Sequence, residues 1–125
     1  MAYKVLIVED NPDHVALEKR VLESRGCDVL LASDAETGME IAQANQPDII
    51  LLDLGLPDLD GQTLLGCIRR VPHLIDVPVI AVTAWPADEA AQMAAAYGFD
   101  GYITKPIQFS TFADKLEAYL PENMA

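Results

Sequence analysis

The chain has 125 residues, of which 51% are hydrophobic, enough apolar material for one packed domain and too much for a disordered chain. A net charge of −12 argues against direct binding to nucleic acid or to an anionic membrane, whose phosphates it would repel. No apolar run approaches the ~20 residues of a membrane span, nothing resembles a signal peptide, and Cys27 and Cys67 lack metal or redox spacing, so a cytoplasmic protein with free thiols is expected.

Lys4-Val5-Leu6-Ile7-Val8 reads as a buried strand, and it ends in Glu9-Asp10. Asn11 then caps a helix with Pro12 in its first turn. His14, Leu17, Val21 and Leu22 give that helix an inner stripe marred by Glu18, and Gly26 ends it. Asp28 to Ala32 is a short strand. Ser33 and Glu36 form a capping-box pattern opening a helix to about Ala44, with Ala35, Gly38, Met39 and Ala42 inward. Ile49-Ile50-Leu51-Leu52, bounded by Pro47 and a Gly/Pro-rich exit, is a strand buried on both faces, and Asp53 sits at its end. After a loop to Asp60-Gly61, Leu64, Leu65 and Ile68 mark a third helix ending near Arg70. Pro72 to Asp76 reads as loop, Pro78 to Val82 as a two-sided strand ending in Thr83, and Pro86 starts an alanine-rich helix that stops at Gly98. Asp100 to Ile103 is the fifth strand, leading to Thr104-Lys105-Pro106, and Phe109, Phe112, Leu116 and Leu120 face inward from a last helix.

Strict alternation of strand and helix implies a doubly wound α/β domain: three layers, with a five-stranded parallel sheet between helices. The residues at strand exits are Glu9 and Asp10, Asp53, Thr83 and Lys105. An isolated strand-end aspartate often does no more than open a turn. In a flavodoxin-like order 2-1-3-4-5, however, the first and third strands flank the switch point and would gather three carboxylates in one crevice. Two such charges ~4 Å apart repel by ~4 kcal/mol at an effective dielectric of 20, so the cluster calls for a cation. An all-oxygen site suits Mg²⁺, with Ca²⁺ or Mn²⁺ as alternatives. No Lys or Arg occurs between Arg70 and Lys105, so that one lysine arrives alone among the strand ends.

The motifs Val8-Glu9-Asp10-Asn11, Asp53-Leu54-Gly55-Leu56-Pro57 with Asp60-Gly61, Val82-Thr83-Ala84 and Tyr102-Ile103-Thr104-Lys105-Pro106 fall in order at successive strand exits. In this the chain resembles a response-regulator receiver domain of two-component signalling, over residues 1–125 as a single domain. The resemblance implies the strand order 2-1-3-4-5, a cis peptide at Lys105-Pro106, and Asp53 as acceptor of a phosphoryl group from a partner's phosphohistidine. It implies Asp10, Asp53 and the Gly55 carbonyl as Mg²⁺ ligands, with Glu9 acting through water. Lys105 and the Thr83 hydroxyl would contact phosphoryl oxygens, and the Leu54 and Ala84 amides would complete the cradle. Thr83 with Tyr102 would form the switch, although a strand aromatic such as Tyr102 is as readily explained by packing. His14 reads as inner-face packing rather than a phosphoryl carrier.

The implied partners are a sensor histidine kinase or histidine phosphotransfer protein, and a downstream protein met through the fourth helix, fifth strand and fifth helix. A Mg²⁺-dependent phosphatase with an aspartate nucleophile is disfavoured because Gly55 stands where its second aspartate belongs. A flavin site is disfavoured because Glu9-Asp10 would repel the flavin phosphate. The expected role is a signalling switch rather than a turnover enzyme, as a free-standing regulator, with a receiver excised from a hybrid kinase or larger regulator as the alternative. Gly55 offers no side chain to orient a hydrolytic water and Trp85 is bulky enough to shield the crevice, so slow self-dephosphorylation is expected.

Overall fold

The computed structural model describes residues 3–56 and 58–121. Pro57 and the two ends of the expected 1–125 domain lie outside the described residues. The elements are β1 (Lys4–Val8), α1 (Pro12–Ser24), β2 (Asp28–Ala32), α2 (Ala35–Asn45), β3 (Ile49–Asp53), α3 (Gly61–Ile68), β4 (Val79–Thr83), α4 (Ala87–Tyr97), β5 (Gly101–Thr104) and α5 (Phe109–Glu117). All pairings are parallel and the order is β2-β1-β3-β4-β5, as expected. Every residue of β3 and β4 is buried, and because successive side chains point to opposite faces these strands feed two cores. On one face Leu6, Val8, Ile50, Leu52 and Ala81 pack with Leu64 and Ile68 of α3, Ala35 and Ala42 of α2 and Met93 of α4. On the other, Val5, Ile7, Leu51, Ile80 and Val82 pack with Leu22 of α1 and Phe112 and Leu116 of α5. Each fully buried Leu or Ile contributes ~1.5–3 kcal/mol, so the strand ends ride on a rigid scaffold.

Four local readings are corrected. Leu17 is 45% exposed whereas Glu18 is 1% exposed, so the inward stripe of α1 runs through the carboxyl that was expected to mar it. The cap of α2 is Asp34, whose side chain accepts from the Thr37 amide at 2.7 Å, rather than Ser33. The Asp58 carboxylate from the β3–α3 loop adds to it, accepting from the amides of Ala35 and Glu36 at 2.9 and 3.1 Å. Two carboxylates at one helix start outcompete a hydroxyl for the unpaired amides and suit the positive end of the helix dipole. The stretch expected as loop before β4 holds a short 3-10 turn, Pro72–Leu74. Leu120 is buried but lies beyond the end of α5.

Candidate functional site: an acidic cleft at the strand ends

β1 and β3 are neighbours in the sheet, yet the chain leaves β1 towards β2 and leaves β3 towards β4. Connections departing in opposite directions open a crevice at the carboxyl ends of these two strands. It is a cleft of about 430 Å³, lined by Glu9, Asp10, Asp53, Thr83, Trp85 and Lys105 together with Asn11, Leu54, Gly55, Gln62 and Ala84. Glu9, Asp10 and Asp53 each bring a carboxylate oxygen within 4.8 Å of the others, with Glu9 and Asp53 buried and Asp10 exposed. The expected convergence of three acids is therefore present, and the donor set is all oxygen.

One cation answers them. The Lys105 ammonium lies 3.3 Å from Asp53 Oδ2 and 3.4 Å from Glu9 Oε1. The bond from Lys105 to Pro106 is cis, as expected, and the Lys105 amide donates to the Thr83 carbonyl at 2.7 Å. Glu9 Oε2 accepts from the Asp10 and Asn11 amides at 3.0 and 3.4 Å, and Glu9 Oε1 lies 3.2 Å from His14 Nδ1. His14 is thus half-exposed at the rim and paired with an acid, which corrects its reading as a packing residue.

The protons divide unequally. Burial, followed by the neighbouring Asp53, pushes Glu9 up to about 7, while Lys105 and His14 pull the other way. Burial also works to raise Asp53, but hydrogen bonding with Glu9, the Gly55 amide and Lys105 outweighs it and holds Asp53 below the ordinary carboxylate range. Burial alone would lower the Lys105 ammonium, yet Asp53 and Glu9 more than offset it and hold the ammonium protonated. A proton taken up by the acid pair therefore sits on Glu9, and Asp53 stays ionised.

Thr83 is buried and its Oγ1 accepts from the Trp85 amide at 3.1 Å. Tyr102 is half-buried on the neighbouring β5 and packs against the core under α2, α3 and α4. The Leu54 amide does not open into the cleft but donates to the Val82 carbonyl at 3.3 Å, extending the sheet. It is the Gly55 amide that reaches Asp53 Oδ1, at 3.0 Å. Ala84 and Trp85 are exposed at the mouth, the indole residue by 46%. Sequence reasoning passed over Gln62, which enters the cleft from the first turn of α3, and read Glu18 only as a blemish on the α1 stripe, whereas its buried Oε2 has no hydrogen-bond partner among the described residues. Gln62 follows the Asp60-Gly61 motif immediately, which is the signal that could have placed it.

Comparisons with known proteins agree with this geometry. The model of the response regulator receiver domain matches residues 5–117. The polar-differentiation response regulator DivK of Brucella anthropi is 30% identical over 120 residues, covering 96% of this chain and 98% of DivK. The chemotaxis response regulator CheY4 of Vibrio cholerae superposes with a TM-score of 0.90 at 25% identity, covering 96% of this chain and all of CheY4. The receiver domain of the sensor histidine kinase PA1611 of Pseudomonas aeruginosa, a structure with a magnesium ion coordinated in the active-site cleft, superposes with a TM-score of 0.85 at 29% identity, covering 95% of this chain and 98% of that one.

Proposed function

Because the chain belongs to the response-regulator receiver family, we propose that it is a phosphoryl-accepting switch of a two-component relay, working in the cytoplasm on a partner's phosphohistidine. The observation that carries this reading is the lone Lys105 ammonium held between Asp53 and Glu9 at the bottom of the cleft. The ionised Asp53 oxygen attacks phosphorus, the bond from phosphorus to the donor's imidazole nitrogen breaks, and its electron pair returns to the imidazole. The Lys105 ammonium shifts from the carboxylates to a phosphoryl oxygen. The Thr83 hydroxyl, an acceptor at rest, turns to donate to a second oxygen. The Gly55 amide, in place of the Leu54 amide, and the Ala84 amide complete the cradle. Charge neutralisation of this kind is the largest contribution in reactions of phosphoryl polyanions.

The three converging carboxylates fit Mg²⁺, which Asp10, Asp53 and the Gly55 carbonyl would hold directly and Glu9 through water. A bound Mg²⁺ supplies positive charge that offsets the repulsion between these acids and the incoming phosphoryl group. Movement of Thr83 leaves space that Tyr102 fills, altering the α4-β5-α5 face, where Tyr97 is 58% exposed, and so its contacts with a downstream protein. A receiver carried within a hybrid kinase, as in PA1611, would run the same reaction. A phosphatase cycle is disfavoured by Gly55 at the position of the second acid.

The test is phosphotransfer: purified phosphorylated histidine kinases from the source organism are mixed with the chain and with Asp53→Asn. Rapid transfer to the parent and none to the variant supports the proposal. Transfer that is undiminished in Asp53→Asn overturns it.

A further inference from the structure

The acyl phosphate proposed above must eventually be hydrolysed, and the groups first expected to govern that step are one missing side chain and one apolar shield. Gly55 leaves open space, since a Cβ built there would meet only Asp53 Oδ1, at 3.8 Å. Trp85 carries no group able to accept a hydrogen bond from water. Two neutral amide side chains remain on the cleft wall, Asn11 and Gln62. Asn11 is committed, because its Oδ1 accepts from the Asp13 and His14 amides at 3.0 and 3.3 Å as the cap of α1. Gln62 is half-buried, and its side chain makes no hydrogen bond to any described residue.

The position of Gln62 is fixed by packing rather than by its own contacts. The preceding Gly61 is pressed against the exit of β3: a Cβ there would lie 2.6 Å from Leu54 Cδ2, 3.1 Å from Leu54 Cα and 3.3 Å from the Asp53 carbonyl. Only a residue without a side chain permits that approach. Asp60 locks the same turn by accepting from the Thr63 amide at 2.8 Å. The first turn of α3 is therefore clamped onto the strand that carries the phosphoacceptor, and Gln62 is the next residue along.

We infer that Gln62 is the water-positioning residue for hydrolysis of the phosphoryl group on Asp53, an inference that rests on the proposed function of that aspartate. The water oxygen bonds to phosphorus. The bond from phosphorus to the Asp53 oxygen breaks, and its electron pair regenerates the carboxylate. The water's protons pass to the departing orthophosphate and to solvent. The amide Oε1 accepts a hydrogen bond from the water but takes no proton, so Gln62 orients the nucleophile without acting as a base. A glutamine amide performs this task for the attacking water in GTP-hydrolysing proteins. The help falls short of the ~10²–10⁴-fold of full proton transfer, so about tenfold is expected.

The experiment follows decay of the phosphorylated full chain, labelled with a small phosphoramidate and freed of donor, in the parent, Gln62→Leu, Gln62→Asn, Gly55→Asn and the double variant Gln62→Leu/Gly55→Asn. The rate of labelling and the Mg²⁺ affinity are measured beside it. Expected is about tenfold slower decay in Gln62→Leu, with labelling rate and Mg²⁺ affinity within twofold of the parent. Gln62→Asn, shorter by one methylene, should also slow decay. The double variant should decay as fast as Gly55→Asn alone, because the amide at position 55 then positions the water, whereas a merely structural role for Gln62 would slow decay to the same extent in both backgrounds. Decay unchanged in Gln62→Leu, or slowed only in proportion to labelling, overturns the inference while leaving the phosphoacceptor intact. A parent that takes no label overturns the proposed function itself, and this inference with it.

Discussion

Glu18 gives the chain a stability that falls as pH rises through neutrality. Its carboxyl is 1% exposed, Oε2 has no hydrogen-bond partner among the described residues, and it lies near Glu9, Asp53 and Lys105. Burial first, then the charge of Glu9, pushes it from the ordinary 4.5 up to about 8. The folded chain therefore holds a proton that the unfolded chain has lost, and this contribution is full below about 4.5 and lost as pH rises towards 8. Between those limits the slope approaches about 1.4 kcal/mol per pH unit, so from pH 5.5 to 7.5 Glu18 alone removes about 2–3 kcal/mol. Glu18→Gln has the same shape and no charge to desolvate. Urea unfolding of parent and variant without divalent cations, at pH 5.5, 6.5 and 7.5, should show the variant gaining about 2–3 kcal/mol on the parent across the series. Differencing the two chains cancels most of the Glu9 and Asp53 contributions, which both retain. Stability curves that run parallel across the three pH values would refute the claim that Glu18 is buried as a neutral acid.

Other outcomes follow from the cleft. Asp10→Asn should weaken Mg²⁺ binding roughly tenfold or more, since one of three carboxylates is gone, and calorimetric titration checks it. Trp85 borders the cleft, so its fluorescence should change on addition of Mg²⁺ or beryllofluoride. An unchanged emission spectrum at saturation would contradict that placement. Gly55→Asn and Trp85→Glu should each shorten the phosphoryl lifetime, and a decay rate equal to the parent's in both would mean that shielding and water positioning at these two sites do not set it. In a beryllofluoride-bound structure Thr83 should turn inward with Tyr102 following, a coupling of ~1–3 kcal/mol. Both residues unmoved would end the switch account.

The strand and helix series was legible because β3 and β4 are continuous aliphatic runs with punctuation at both ends. Buried parallel strands leave that signature and little else does. The acids were legible because Glu9 and Asp10 follow β1 and Asp53 closes β3, so the topology alone brings the three together. Contacts that depend on helix rotation were not. A rotation that exposes Leu17 buries Glu18 and brings His14 to Glu9, and periodicity reads the stripe of α1 only to within a residue. The α2 cap was misread because Asp58, 23 residues away from Ala35, supplies part of it. The choice between the Leu54 and Gly55 amides turns on one peptide's orientation after β3, which residue identity does not encode.

Intact-mass spectrometry decides whether Asp53 is the phosphoacceptor. The chain and Asp53→Asn are each incubated with Mg²⁺ and a small phosphoramidate. The parent should gain the mass of one phosphoryl group, a gain lost on chelation of the metal beforehand, and the variant should gain none. A phosphoryl adduct of equal yield on Asp53→Asn would contradict that role.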